Sequence, residues 1–377
     1  FNSRFFQILD DGSQFDPSPT IAGIDDPQTT NDTEYNFTDI YGGLRYRLKA
    51  GIFTFTPGFT VHAYNSKNTQ YGTASFQDKF AKFLPEFEAV AQFKRSESLT
   101  LTYKQEVNFT DVNQIARGIV ANSYNSFFTG NADLINASFH NVALRYSSYN
   151  LFNASNIFAR VNYRKTIDQI ATDFNFIPGS VVSTRSNLNA PDENETFTAF
   201  GRVGKTIKKI RTSIGGSFTY NKNYRFINTV GVENKLYNQS YNTSIGTNFT
   251  KAPNLRLRYN VSFTTQQDGS RPIDVKSVTH SPSINFDAYV WDSLTITSDF
   301  SFNEVRQNGN VANSFKIWDA KLAYRKDKDA KWEYELVGSN LLATGSRASV
   351  SQNNISFNIN ETFILPRFIS LRVRYQL

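Results

Sequence analysis

In "SLTITSDFSFNEV", Leu294, Ile296, Phe300 and Phe302 alternate with Thr295, Thr297, Asp299, Ser301 and Asn303. "NLRLRYNVSFTTQQ" does the same, with Leu255, Leu257, Tyr259, Val261 and Phe263 on one side and Arg256, Arg258, Asn260, Ser262 and Thr264 on the other. Successive side chains of a strand point to opposite faces, so a period of two held over about ten residues marks a strand with one apolar and one polar face. "SLTLTYKQ" and "KWEYELVG" repeat the pattern, and no helical spacing runs for a comparable length. The sequence ends in the same way. Ile369, Leu371, Val373, Tyr375 and Leu377 alternate with Ser370, Arg372, Arg374 and Gln376 up to the last residue.

The connections add direction. Short turns are expected near Lys49–Gly51, Lys94–Ser98, Asn150–Asn153, Lys205–Ile210, Lys251–Asn254, Trp291–Ser293 and Asp327–Ala330. Longer polar loops are expected between them, at 65–79, 110–136, 171–195, 222–236, 266–278, 304–313 and 343–360. Strict alternation of short and long connections describes an antiparallel meander with turns at one end and loops at the other, as in a transmembrane β-barrel. Counting strands between the turns and adding 1–9 and 361–377 gives about sixteen. A β-sandwich has no reason to alternate turn lengths in this way, and a propeller would repeat every ~40–50 residues, which this chain does not. One stretch conflicts with the pattern: "TFTPGFT" sets Pro57 inside a strand, where a bulge or local break is expected. The terminal strand is expected to close the barrel, with Ile369, Leu371, Val373, Tyr375 and Leu377 as its assembly face, because hydrocarbon tolerates no open sheet edge.

Composition fits this reading. Apolar residues make up 39% of the 377, yet aromatics alone make up 15%, with 34 Phe and 19 Tyr. The chain is thus polar on average but too rich in rings for disorder. No apolar run is long enough for a membrane helix. Absence of cysteine excludes disulfides and thiolate metal sites. The net charge of +7 comes from basic residues scattered singly along strands, which describes a wetted face and not a nucleic-acid footprint. No cofactor motif is found, and no catalytic one, so an enzyme is not expected. His62, His140 and His280 stand apart, and "GRVGKT" lacks phosphate-loop spacing. The acidic stretch 10–34 matches no calcium-loop spacing. Loop "NSYNSFFTGNADL" sets Tyr124, Phe127 and Phe128 among amides, including Asn125 and Asn131. Rings interleaved with amides suit contact with a sugar or peptide, and equally suit packing of the loop onto its neighbours.

"GNADLINASFHNVALRYSSYN" (130–150), with Gly130, Asn131 and Leu134, resembles a loop-and-strand segment of TonB-dependent-receptor-like outer-membrane barrels. The preceding "SLTLTYKQEVNFTDVNQIARGI" and the terminal "FISLRVRYQL" are similar to that family's corresponding strand and assembly signal. The Asn-, Tyr- and Phe-rich texture looks like the versions found in glycan-foraging Gram-negative bacteria. The resemblance implies a barrel of about twenty-two strands in the outer membrane that binds ligand at its long loops for import. It also implies an upstream plug, a periplasmic energy-coupling protein and, for this type, a surface lipoprotein partner. The chain shows no plug, and it has room for about sixteen strands. It is therefore expected to be a single barrel domain over 1–377, either the C-terminal part of a larger receptor or a smaller barrel of similar texture. The functional expectations are a receptor or transporter barrel, or a receptor-derived structural subunit of an outer-membrane assembly, secretion or lipoprotein complex.

Overall fold

The structure is a computed structural model that describes residues 2–8, 30–72, 74–123, 126–176, 183–250, 252–270, 274–291, 293–327, 329–352 and 357–376. The first strands are β1 (Asn2–Ile8), β2 (Thr30–Arg45), β3 (Leu48–Ala50), β4 (Phe53–Gln70), β5 (Ala74–Lys94) and β6 (Glu97–Asn108), followed by a one-turn helix α1 (Val112–Ile115). Next come β7 (Ile119–Ser123), β8 (Ser126–Thr129), β9 (Ala137–Asn150), β10 (Ser155–Ile167), β11 (Ile170–Phe176), β12 (Ser183–Asn189), β13 (Asn194–Ile207), β14 (Ile210–Ile227) and β15 (Val230–Thr247). The chain continues through β16 (Asn254–Asp268), β17 (Val275–Val290), β18 (Leu294–Gln307), β19 (Asn310–Arg325) and β20 (Trp332–Ser339). It finishes with β21 (Ser346–Gln352), β22 (Phe357–Phe363) and β23 (Phe368–Tyr375).

Antiparallel pairing runs β1–β2–β4–β5–β6–β9–β10–β13 and onward through β14, β15, β16, β17, β18, β19, β20 and β23. These fifteen pairings join sixteen wall strands, the number expected from the turns. β3 continues β2, and β7, β8, β11 and β12 add to the same 21-stranded sheet, while β21 and β22 form a separate hairpin. β23 pairs with β20. Among the described residues neither β23 nor β1 has a partner on its other edge, so the pairing does not return on itself. Ile369, Leu371, Val373 and Tyr375 lie on β23, and Leu377 lies outside the described residues.

The register separates the two faces. Ile245, Leu257, Ile284, Phe300 and Trp318 stand side by side across five strands. One residue along, Gly246, Arg256, Asn285, Asp299 and Asp319 form the neighbouring row on the opposite face. Ile245, Leu257, Ile284 and Trp318 are all exposed, as are Ile40, Leu44, Phe83, Ile214 and Leu371 on the same outer face. A contiguous exposed apolar surface of this extent is foreign to a water-soluble monomer and is what a lipid-facing barrel wall presents. From Leu255 to Phe263 the outer apolar run of β16 covers about 26 Å of strand at ~3.3 Å per residue; a tilt of ~40° leaves about 20 Å across the membrane. No described helix is long and apolar enough to cross a membrane, and a barrel crosses with its strands.

The seven expected short turns fall between wall strands that pair at one end of the wall, with residues 251, 292 and 328 of them outside the described residues. At the other end, three expected loops are absent. The stretches 65–79, 222–236 and 304–313 are hairpin arms: the last two pairs meet in two-residue turns, Asn228–Thr229 and Asn308–Gly309, and the first in a three-residue connection of which Tyr71 and Gly72 are described. Every described residue of these turns has positive φ, from 48° at Asn228 and Asn308 to 89° at Gly309, the geometry that matches the twist of paired strands. Beyond the membrane both faces of a strand meet water, so the alternation fades and the sequence imitates a loop.

Pro57 remains within β4, without a bulge. Its carbonyl accepts from Tyr46 N–H at 3.0 Å, but it has no N–H to return. The ladder therefore lapses at Tyr46–Arg47, between β2 and β3, while the register on either side is unchanged: Arg45 faces Gly58 and Leu48 faces Phe55.

Candidate functional site

The long-loop end is a folded layer built on the wall. Its starting point is the segment between β6 and β9. Asp111 caps α1, accepting from Asn113 N at 2.8 Å and Gln114 N at 3.0 Å, while its own N–H donates to Gln114 Oε1 at 3.1 Å. This reciprocal capping satisfies donors that a one-turn helix would otherwise leave unpaired. Gln70, at the tip of β4 and almost fully buried, clamps the segment from below. Its Nε2 donates to Ile115 O at 2.8 Å and its Oε1 accepts from Arg117 N at 3.2 Å. Ile115, Ala116 and Ile119 are buried behind it.

The Gly130–Asn131 pair locks the return path. Gly130 N donates to Ala116 O at 2.8 Å and Asn131 N donates to Gln114 O at 2.8 Å. A Cβ on Gly130 would stand 2.4 Å from Ala116 O, so only glycine allows this approach. Asn131 Oδ1 accepts from Asp133 N at 2.9 Å, and its Nδ2 donates to Asn187 O at 3.2 Å on the neighbouring loop. Asn189 completes the seam, exchanging hydrogen bonds with the backbone of Ile135, each at 2.9 Å.

A lateral sheet ties the loops together. β7 pairs with β8, β8 runs parallel to β12, β12 pairs with β11, and β11 runs parallel to the tip of β14. Phe127 is 3% exposed within this sheet, opposite Thr184, so it packs the loop and presents no free ring. Phe128, opposite Arg185, is half-buried, and Asn131 is partly buried in the seam described above. Tyr124 and Asn125 lie outside the described residues. The structure thus brings Phe127, Phe128 and Asn131 together as parts of the scaffold of the loop layer. Sequence reading missed Gln70, Asn187 and Asn189; the Asp-x-x-Gln spacing at 111–114 was a signal that could have revealed α1.

Further along, Arg225 and Asp268 pair at 2.7 Å with both side chains buried. Burial pushes the Asp268 carboxyl up, but hydrogen bonds from the Ser270 hydroxyl and amide, at 2.7 and 3.0 Å, together with Arg225 outweigh it and hold the group below its usual range. The three histidines lie on the wall. His62 faces Asp39 at 3.0 Å on the inner side, and His140 and His280 hydrogen-bond outer-face tyrosines, Tyr103 at 2.9 Å and Tyr259 at 2.7 Å. Among the described residues no three His, Asp or Glu side chains gather as a metal-binding group.

The inner wall is polar and charged. Glu335, 1% exposed, lies between Lys321 Nζ at 3.3 Å and Arg374 Nη2 at 3.1 Å, and Arg45 Nη2 donates to Glu86 Oε2 at 3.0 Å. The described residues thus form a sheet with an apolar outer face, a polar and charged inner face and a stitched layer at its long-loop end.

Comparison with known proteins places this architecture. No curated protein matches the sequence. Among solved structures the chain is similar to the copper transporter OprC, at 12% identity and TM-score 0.44, over 92% of this chain and 57% of that one. It is also similar to the outer membrane transporter YddB from Escherichia coli, at 9% identity and TM-score 0.26, over 91% of this chain and 75% of that one. A third is OmpT, an outer membrane protein of Vibrio cholerae, at 10% identity and TM-score 0.33, over 92% and 97%. The chain spans little more than half the length of the copper transporter. The profile of the outer membrane protein beta-barrel family matches residues 4–231, more than half of the sequence, covering most of β1 and eight further strands of the wall complete, from β2 to β14. With an apolar outer face, a polar inner face and turns and loops segregated to opposite ends, the chain belongs to the outer membrane protein beta-barrel family and resides in the outer membrane of a Gram-negative bacterium.

Proposed function

We propose that the chain forms the barrel wall of a TonB-dependent-type receptor of the glycan-foraging kind, which binds ligand at its long-loop end and imports it. The observation that carries this reading is the inner face: charged and amide side chains line it from β2 to β23, beneath a loop layer preorganised by Gln70, Gly130 and Asn131. Rigid loops reduce the ordering cost of capturing a solute, and a wetted wall lets it pass. The chain acts by binding and passage, without catalysis. Its partners in this reading are outer-membrane lipid, a surface lipoprotein and a periplasmic energy-coupling protein.

The test is an insertion. A bulky tag placed at Asp133, exposed in the loop layer, should abolish uptake of the supporting glycan while the protein still assembles in the outer membrane. Normal growth on every nutrient, with loss of a lipoprotein on pulldown, would instead assign the chain to a structural subunit.

A further inference from the structure

We infer that the inner wall carries a binding site for a small multivalent oxyanion, a phosphate or sulfate group, near the short-turn end. Arg211, Gly246 and Arg256 occupy one cross-strand row on β14, β15 and β16. Ser213 and Ser244 form the next row, with their hydroxyls 2.8 Å apart. Arg202 of β13 reaches over the same ground, its Nη2 3.4 Å from Ser213 Oγ. Together they bound a cavity of about 240 Å³.

Glycine shapes the floor. A Cβ on Gly246 would stand 3.3 Å from Arg256 Cγ, and one on Gly204 would collide with the Asn156 amide. Two strand spacings of ~4.8 Å separate the backbones of Arg211 and Arg256 by about 10 Å. Long guanidinium stems can converge from there on an anion between them.

The charge lining this cavity is of one sign, from Arg202, Lys205, Arg211 and Arg256. Arg45, Arg225 and Arg374 each face a carboxylate. No carboxylate lines this cavity, and among the described residues none of Arg202, Arg211 and Arg256 forms an ion pair. Three guanidiniums without a carboxylate partner leave an excess of positive charge that an anion between them would offset, and their planar forks match tetrahedral oxyanions. The hydroxyls of Ser213 and Ser244 supply further donors.

This goes beyond the proposed import function and is separable from it. Anion binding by a protein that supports no uptake would leave the site standing, and uptake without anion binding would remove the site alone. The full chain, folded in detergent, is titrated calorimetrically with inorganic phosphate at constant ionic strength set by chloride. Saturable binding at one site is expected, displaced by sulfate. Arg211→Gln with Arg256→Gln should weaken it at least tenfold, Arg256→Lys should retain most of it, and Arg374→Gln should change it less than twofold. If the double variant lacks the heat-modifiable band of a folded barrel, the two single variants decide. Absence of saturable binding in the parent protein, or equal loss in Arg374→Gln, overturns the inference.

Discussion

Leu257 and Arg258 are adjacent in sequence and opposite in environment. Leu257 stands in the exposed apolar row between Ile245 and Ile284, while Arg258 points inward and donates to Asn285 Oδ1 at 3.1 Å. Placing arginine at 257 puts a charge into hydrocarbon, and Leu257→Arg should cost about 2–4 kcal/mol of folding stability in lipid if that row lies near the midplane. Arg258→Leu removes one exposed hydrogen bond and should cost no more than about 1 kcal/mol. Urea titrations of the two variants in vesicles compare them directly, and equal losses would refute the assignment of faces. Gly130 is a second residue-scale case. Gly130→Ala must push against the backbone of Ala116 and should cost about 1–3 kcal/mol, confined to the loop layer. Hydrogen exchange should rise in 110–136 and remain unchanged in the wall strands; a uniform rise would show that the loop layer is not a separate unit.

At the scale of elements, the tips of β14, β15 and β16 extend beyond the apolar band and are held by the buried Arg225–Asp268 pair. The Asp268 carboxyl titrates below its usual value, so the folded state favours its ionised form. Its contribution is therefore present above the unfolded value, about 3.9, and is lost as pH falls through the lower folded value. Amides of 223–234 should lose exchange protection below about pH 4. In Asp268→Asn they should be weakly protected already at neutral pH, with little further change on acidification. An unchanged acid response in Asp268→Asn would assign the effect to another group.

For the whole molecule, the segregation of connections predicts orientation. Asn310, exposed at the end of the β18–β19 hairpin, belongs to the long-loop end, and Asp329 to the short-turn end. Barrels of this kind keep short turns in the periplasm. With no native cysteine in the sequence, Asn310→Cys should react with a membrane-impermeant thiol reagent in intact cells, and Asp329→Cys only after lysis. The reverse pattern would invert the molecule and place the arginine-lined cavity at the cell surface.

The wall was legible because lipid on one side and water on the other impose period two on every spanning strand. That pattern gave the sixteen strands, the seven short turns and the face carrying Leu257, Ile284 and Leu371. Near Pro57 the sequence showed that the ladder would be disturbed, and the unchanged pairing of Arg45 with Gly58 decided that no bulge forms. Beyond the membrane the constraint vanishes, so 65–79, 222–236 and 304–313 read as loops until pairing showed hairpins. The loop layer was hidden for a related reason. Gln70 holds Ile115, and Asn131 holds Asn187, across 45 and 56 residues, and no local periodicity encodes contacts at that separation. The sequence alone determined which faces meet lipid and water, since that depends on neighbours two residues apart. Only the tertiary structure decided which loops are stitched together and which arginines lack a counter-charge, because both depend on strands brought side by side.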